Sequence, residues 1–234
     1  MTKKNIKVAI IITAAGASSR IGCNTKKEYL SYKKGTVLSA SVETFLEASK
    51  TNFKISDFII TCRKNDFENC KKALDSLNLA CVSDVFQIVE GAQTRQKSVY
   101  NALCAVKNNP EIVLIHDGAR PFVSQKIILD CIAAAQNFGA SVPGLTPVDT
   151  QKQIDENGFI VKHLQRSSLI AVQTPQGFRF APLLQAHKIA YNEKTEYTDD
   201  TEIWGKYCGN VRVIPGESKN IKITYPKDLE ILKC

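Results

Sequence analysis

Apolar runs of strand length recur along the chain: VAIIIT at 8–13, FIIT at 58–61, QIV at 87–89, IVLIH at 112–116 and ASVPGL at 140–145. Apolarity that is continuous rather than alternating predicts strands buried on both faces, as in a parallel sheet covered by helices. Between these runs the apolar positions return at helical spacing. Leu38, Val42, Phe45 and Leu46 share one face, and Val99, Ala102, Leu103 and Val106 share another. A third set, Ile128, Cys131, Ile132 and Ala135, ends at Gly139, which suits a C-terminal cap. Strands alternating with helices specify right-handed crossover units, hence an α/β fold with a mostly parallel central sheet. Such sheets bind ligands beyond the carboxyl ends of their strands, so the loops that follow the strands are where chemistry is expected.

The alternation breaks after Pro147. VDTQKQIDENGFIVKHLQR places a polar turn, DENG, between two short β-type stretches. This pattern predicts a hairpin arm, at about 149–172, projecting from the sheet. An isolated hairpin buries little, so the arm is expected to meet the body or a second copy of the chain, and a homodimer follows.

Composition narrows the class. The 234 residues are 44% hydrophobic and 23% charged, an ordinary globular balance that suits a single domain over 1–234. A net charge of +8 favours anionic partners. The basic residues are scattered in pairs, with no nucleic-acid-binding motif near them, so a solvated surface is expected rather than a nucleic-acid groove. The eight cysteines show no C-x-x-C pair and no zinc spacing, and are expected as buried, reduced thiols of a cytoplasmic protein. The basic start and VAIIITAAGA imitate a signal peptide, but a short β-branched run ending in a glycine turn reads better as a buried strand. No segment approaches the roughly 18 apolar residues of a membrane span, so no membrane partner is expected.

Several loops carry polar residues that a core would not choose. In TAAGASSRIG, Ala14, Ala15 and Gly16 leave room for a ligand to approach backbone N–H groups, and Arg20 adds charge. The stretch fits neither a Walker loop, since Ile21 stands five places after Gly16, nor a dinucleotide fingerprint, since Ser18 takes the middle glycine's place. Lys27 follows in TKKEYL. GAQTRQKSV joins a strand to a helix, with Ser98 suited to a helix N-terminus and Arg95 offering a fork of donors. IHDGARPF ends the central strand with Asp117 and Arg120, where a carboxylate needs a cation, metal or hydroxyl. In NIKIT, alternation predicts a strand with Lys222 on its polar face.

Taken in order, AAGASSR, KKEYL, RQKSV, HDGARPF, DTQK, QTPQGF, TDDTE and NIKIT resemble the 2-C-methyl-D-erythritol 4-phosphate cytidylyltransferases, from about residue 6 to residue 230. The resemblance implies a Rossmann-like, nucleotide-sugar-transferase fold, a homodimer exchanging hairpin arms, and a Mg2+-dependent reaction of CTP with methylerythritol phosphate. By position it implies that Arg20 and Lys27 stabilise charge on the CTP phosphates. Arg166, from the partner's arm, and Lys222 would position the methylerythritol phosphate. Ala14, Ala15, Gly16, Ala92, Gln93, Arg95 and Ser98 fall where the family binds nucleotide, and Asp117, Arg120, Thr150, Thr174 and Thr198 around the second substrate and the metal, whose ligands stay open. Lys26, Ser18, Ala92 and Gln93 depart from the family pattern, Lys26 standing where proline is usual.

This chemistry suits the residue types. A phosphate monoester carrying about −1.5 to −2 charge must approach another polyanion, so cations are required and a general base is not. Ribitol 5-phosphate is the alternative acceptor. A basic nucleic-acid-binding protein is the alternative of another class, and a nicotinamide oxidoreductase fails at Ser18.

Overall fold

The computed structural model describes residues 6–22 and 25–233; Cys23 and Cys234 lie outside them. The first apolar run forms β1 (Lys7–Thr13), whose residues Val8 to Ile12 are all fully buried. A short ribbon, β2 (Ser31–Tyr32) with β3 (Gly35–Thr36), leads into α1 (Val37–Asn52). Thr36 caps that helix by accepting the Ser39 backbone N–H, while the Ser39 hydroxyl accepts from Thr36 N. Then come β4 (Lys54–Cys62), α2 (Phe67–Lys72), β5 (Phe86–Glu90), α3 (Arg95–Ala105), β6 (Ile112–Asp117), α4 (Gln125–Phe138) and β7 (Ala140–Leu145). Gly139 ends α4 at φ 91°, a conformation that side-chain-bearing residues rarely adopt.

β6, β1, β4 and β5 lie side by side in parallel, as the alternation predicts. Beyond β7 the chain runs into the arm, β8 (Lys152–Ile154) paired with β9 (Ile160–His163), and returns as β10 (Ala171–Val172) and β11 (Gln176–Arg179). β11 is antiparallel to both β6 and β7, between which it lies, and β10 is antiparallel to β7. The eight-stranded sheet is therefore mostly parallel, as expected, and mixed only in that β10 and β11 run against the other six strands. The physical reason is that the arm, not a crossover helix, connects β7 to its neighbour, so the chain comes back in the opposite sense. Gly177 permits the insertion: a Cβ there would stand 2.8 Å from Ser141 Oγ and 3.1 Å from the Cys131 carbonyl. After α5 (Phe180–Asn192) and α6 (Asp200–Tyr207), β12 (Arg212–Pro215) joins the outer side of β7 in parallel.

The pleat of β1 divides the core. Val8, Ile10 and Ile12 pack with Leu38, Val42 and Phe45 of α1 and with Ile128 and Cys131 of α4. Ala9 and Ile11 pack on the other face with Val99 and Leu103 of α3, Leu183 of α5 and Trp204 of α6. Each large side chain buried in this way contributes about 1.5–3 kcal/mol, and the two layers fix the strand ends against each other.

Two local expectations are corrected. NIKIT forms no strand; it is an extended segment in which Ile223 is buried against Ile21 and Val37, tied to the body by Ile223 N–H donating to the Ala119 carbonyl at 2.9 Å. The alternation is real, but its partner surface is a loop, not a ladder. Of the cysteines, Cys62, Cys70 and Cys131 are buried as expected, whereas Cys81, Cys104 and Cys208 are exposed; all six are free thiols. Burial pushes the Cys131 thiol up to about 12.

The arm has its expected turn. Asp155 Oδ1 accepts the backbone N–H groups of Asn157 and Phe159 at 3.0 and 2.9 Å, and Gly158 takes φ 85°. Every residue of β8 and β9 is exposed, and Phe159 between them is 71% exposed.

Candidate active site

The loops beyond β1, β4, β5 and β6 converge on a cleft of about 260 Å3. Five cations line it, Arg20, Lys27, Arg63, Arg95 and Lys222, against two acids, Glu28 and Asp117, so its walls carry 5 − 2 = +3 formal charges. A concave site of one sign focuses field and gathers polyanions.

The first loop is anchored at its base. Ala14 N–H donates to the Thr61 carbonyl at 2.8 Å, and Arg63 Nε donates to the Ala15 carbonyl at 3.3 Å. Gly91 lets the loop after β5 touch it, because a Cβ there would lie 2.3 Å from Ala15 Cβ. Among the described residues, nothing beyond its chain neighbours lies within 4 Å of a Cβ built on Gly16, so its backbone opens onto the cleft, as a ligand-approach glycine should. Ser18 takes φ 54° in the left-handed region, where glycine would be free of strain, and its hydroxyl donates to Glu28 Oε2 at 3.1 Å.

That bond ties the first loop to the short turn holding Lys27. Lys26, where the resemblance leads one to expect proline, adopts φ −60° and ψ 140°, a backbone that proline would also take, and its ammonium pairs with Asp66. The departure therefore preserves the conformation. Lys27 is buried, and burial lowers its pKa, helped by Lys222 and Arg20 and opposed by Glu28 and Asp117. Burial pushes the Glu28 carboxyl up, against a backbone hydrogen bond, Lys27 and Ser18. Arg20 is exposed at the rim, its guanidinium 5.9 Å from the ring centre of Tyr225, within cation–π range.

At the start of α3, Thr94 rather than Ser98 is the cap, accepting Lys97 N–H at 3.2 Å. Ser98 is buried one turn in: its hydroxyl accepts the Ala92 N–H at 2.9 Å and lies 2.9 Å from the Thr94 carbonyl. It folds the loop of Ala92 and Gln93 against the helix. Gln93 is exposed on the cleft side.

Asp117 ends β6 at the centre. Lys222 Nζ stands 2.8 Å from its Oδ2, Arg120 Nε 3.5 Å from the same oxygen, and Arg95 Nε 3.8 Å from Oδ1. Burial works against its ionisation, but Lys222, Arg95 and Arg120 outweigh it and hold the carboxyl well below the usual carboxylate range. Behind it lies a hydrogen-bonded row. His116 Nε2 faces the Arg120 carbonyl at 3.2 Å, and a carbonyl only accepts, so Nε2 carries the proton. Nδ1 then accepts from the Thr174 hydroxyl at 3.0 Å, and Thr174 Oγ1 accepts Asp117 N–H at 3.1 Å. Burial lowers the His116 pKa to about 4, so the ring is neutral near pH 7. Arg120 Nη1 donates to the Asn220 carbonyl at 2.7 Å and Asn220 Nδ2 to the Thr174 carbonyl at 2.9 Å, which carries the segment bearing Lys222 up to Asp117.

Arg20, Lys27, Ala15, Gly16, Ala92, Gln93, Arg95, Ser98, Asp117 and Lys222 thus line one cleft. Ala14 is buried directly beneath it, while Thr174 and Arg120 support Asp117 from behind. Thr150, Arg166 and Thr198 are not among its walls: all three are exposed, Arg166 donating to the Val148 carbonyl at 2.6 Å and Thr198 bonding Glu202.

A family model described as 2-C-methyl-D-erythritol 4-phosphate cytidylyltransferase, IspD, matches residues 8–233. The chain belongs to this family. Proteins named 2-C-methyl-D-erythritol 4-phosphate cytidylyltransferase from Clostridium botulinum and Clostridium novyi are 40% and 39% identical to it, over 96% and 95% of this chain and 96% and 94% of theirs. Among solved structures, a 4-diphosphocytidyl-2C-methyl-D-erythritol synthase of Anaerococcus prevotii superimposes with a TM-score of 0.81 at 27% identity, covering 97% of this chain and 95% of its own. The Thermus thermophilus cytidylyltransferase gives 0.76 at 29%, covering 97% and 98%.

The cleft of this cytidylyltransferase includes residues that the sequence reading missed. Arg63, Glu28, His116, Asn220 and Asp200 all touch or support it. Four of them stand inside quoted motifs, KKEYL, IHDGARPF, NIKIT and TDDTE, so their type was visible and only their direction was not. Arg63 follows the apolar run of β4 as its loop residue, the position at which the other strands carry their site residues.

Proposed function

We propose that this cytidylyltransferase transfers CMP from CTP to 2-C-methyl-D-erythritol 4-phosphate, giving 4-diphosphocytidyl-2-C-methyl-D-erythritol and pyrophosphate in isoprenoid precursor synthesis. The observation that carries this reading is the gathering of Lys27, Arg95 and Lys222 around one ionised carboxylate, with Arg20 at the rim, beyond the carboxyl ends of the parallel strands. An oxygen of the polyol phosphate attacks the α-phosphorus of CTP. A new P–O bond forms the diphosphate bridge, the bond from the α-phosphorus to the bridging oxygen of the β-phosphate breaks, and its electron pair leaves with pyrophosphate. Two unit charges 4 Å apart repel by about 4 kcal/mol at an effective dielectric of 20, so the cations must neutralise both partners before approach. Arg20 and Lys27 take the CTP phosphates, and the open backbone at Ala15 and Gly16 the nucleotide. Arg95, with the loop that Ser98 folds, completes that side. Lys222, held by Arg120 and Asn220, faces the acceptor phosphate.

Mg2+ fits the donor chemistry. It takes one or two carboxylates together with substrate phosphates rather than an all-protein cage. Among the described residues no group of three or more metal-ligating side chains comes together, whereas Asp117 is ionised and faces the cleft. Asp117 would hold the ion, which when bound supplies charge neutralisation and orientation of the triphosphate. Thr13, whose hydroxyl lies 3.4 Å from Asp117 Oδ1, steadies that carboxylate.

The arm supports a homodimer. Val148, Ile154, Phe159, Ile160 and Val161 are all more than half exposed in the single chain, a run of apolar surface that a second copy would cover. On that reading Arg166 and Thr150, both exposed on the arm, complete the acceptor site of the partner. Exposed free thiols at Cys81, Cys104 and Cys208 favour a reducing, cytoplasmic setting, and no helix among the described residues is long and apolar enough to cross a membrane.

Pyrophosphate release with CTP and, separately, methylerythritol phosphate and ribitol 5-phosphate tests the acceptor. A kcat/KM at least about tenfold higher for methylerythritol phosphate supports the reading; preference for ribitol 5-phosphate replaces the acceptor, and no release with either sinks the activity.

A further inference from the structure

Asp200, the first residue of α6, is wholly buried, and its two oxygens serve different partners. Oδ2 accepts from Arg95 Nη1 at 2.6 Å, and Oδ1 lies 3.2 Å from His187 Nε2. A carboxylate only accepts, so Nε2 of His187 carries the proton in this contact. His187, on α5, is itself buried. Its ring lies parallel to that of Tyr100 of α3, at 6.5 Å and 1°, and Tyr100 stacks on Tyr191 at 4.9 Å. Among the described residues His187 Nδ1 meets no hydrogen-bond partner, so Asp200 is the one polar group that the ring serves. On its far side Arg95 stands between two acids, bonded to Asp200 but only 3.8 Å from Asp117.

We propose that His187 is a positioning residue for the nucleotide site: through Asp200 it holds the Arg95 guanidinium away from Asp117. This rests on the reading above that Arg95 meets the nucleotide. Asp117 already pairs closely with Lys222 and Arg120 and feels Arg95 at 3.8 Å; if Arg95 closed from there to hydrogen-bond distance, one donor fewer would be left for the CTP phosphates. What prevents that closure is the strong bond to Asp200, and a buried carboxylate keeps a fixed orientation only while both oxygens are satisfied. Without the His187 donor, Oδ1 loses its hydrogen bond in a site that water does not reach. The carboxylate then turns, and Arg95 follows it toward Asp117. Asp200 and Arg95 belong to the quoted motifs TDDTE and RQKSV, but His187 lies in neither, on a helix whose pattern announces only packing.

The test is CTP binding measured by titration calorimetry on the full-length protein, which does not depend on the identity of the acceptor, together with steady-state kinetics. His187→Leu should weaken CTP binding and raise KM for CTP by about tenfold, the size of one lost hydrogen bond to a charged group, with kcat changed by less than about threefold. His187→Gln, whose amide N–H reaches the same oxygen, should restore binding to within about threefold of wild type. In an Arg95→Ala background, His187→Leu should have no further effect, because the group it acts through is gone. If His187→Leu does not fold, Asp200→Asn, which keeps the volume but loses the charge facing Arg95, must weaken CTP binding in the same way. Unchanged CTP affinity in the folded variant, or an equal loss in the Arg95→Ala background, overturns the proposal. Unchanged CTP affinity in Arg95→Ala alone overturns the nucleotide role of Arg95, and the role of His187 with it. Normal CTP effects with no turnover would instead indict the acceptor and leave the His187 role standing.

Discussion

Replacing Lys27 by methionine removes one positive charge from the cleft while keeping the length of the side chain. Lys27 is 8% exposed, and its neighbours Lys222 and Arg20 press its pKa down along with burial, so its ammonium is sustained mainly by the anions it faces. At 4 Å and an effective dielectric of 20, a full unit of opposite charge is worth about 4 kcal/mol. As the α–β bond of CTP breaks, roughly half to one further unit of charge collects on the leaving pyrophosphate, so Lys27 contributes about 2–4 kcal/mol that exists only in the transition state. The predicted result is a fall in kcat of about 30- to 10³-fold, with a smaller rise in KM for CTP. Thermal stability should hold, because a desolvated cation is replaced by an apolar side chain of similar volume. Steady-state pyrophosphate release at saturating substrates measures it. A kcat within about threefold of wild type, in a variant with unchanged melting temperature, would refute the electrostatic role.

Arg20→Ala should likewise lower kcat by about 10²-fold; a normal kcat in the same assay removes it from the catalytic set. Gly91→Ala would place a methyl group 2.3 Å from Ala15 Cβ, so the first loop must move, and KM for CTP should rise by about tenfold or more while Tm changes little; an unaltered KM means that the two loops are not coupled. Arg166→Ala should raise KM for the polyol phosphate by about tenfold or more and leave KM for CTP alone; mixing it with a Lys222→Ala subunit should recover activity in the mixed dimer, and no recovery would argue against exchanged arms. For His116, burial lowers the folded pKa from 6.5 to about 4. Its contribution to stability is therefore complete above pH 6.5 and lost as pH falls toward 4, where the unfolded chain takes up a proton that the folded ring refuses. Melting temperature followed from pH 7.5 to 4.5 should drop less steeply in His116→Gln than in wild type, and identical slopes would exclude the assignment.

Much of this architecture is legible in residue patterns because the strands concerned are buried on both faces. β1, β6 and β7 follow their apolar runs to within a residue, and the faces of α1 and α4 follow their periodicity. The antiparallel insertion of β11 is not legible: QGFR is short and partly polar, and what qualifies it is that Gly177 fits against Ser141, a contact 36 residues away along the chain. The same limit holds in the site. Arg20, Arg95 and Asp117 stand out because they follow apolar runs or glycines in loops, whereas Lys27 and Lys222 are singled out only by the family resemblance. His187 and Asn220 do not stand out, since one lies on a packing helix and the other is defined by distant partners, the carbonyl of Thr174, the guanidinium of Arg120 and the amide of Gln173. Direction, rather than residue type, is what the fold adds.

The central claim is that the acceptor phosphate itself attacks CTP within this cleft. Methylerythritol phosphate carrying 18O on its three terminal phosphate oxygens, incubated with CTP and Mg2+ and followed by mass spectrometry, tests it directly. The account predicts that all of the label is found in the joined diphosphate product and none in pyrophosphate. Label in pyrophosphate, or CMP and pyrophosphate formed without a joined product, would contradict it.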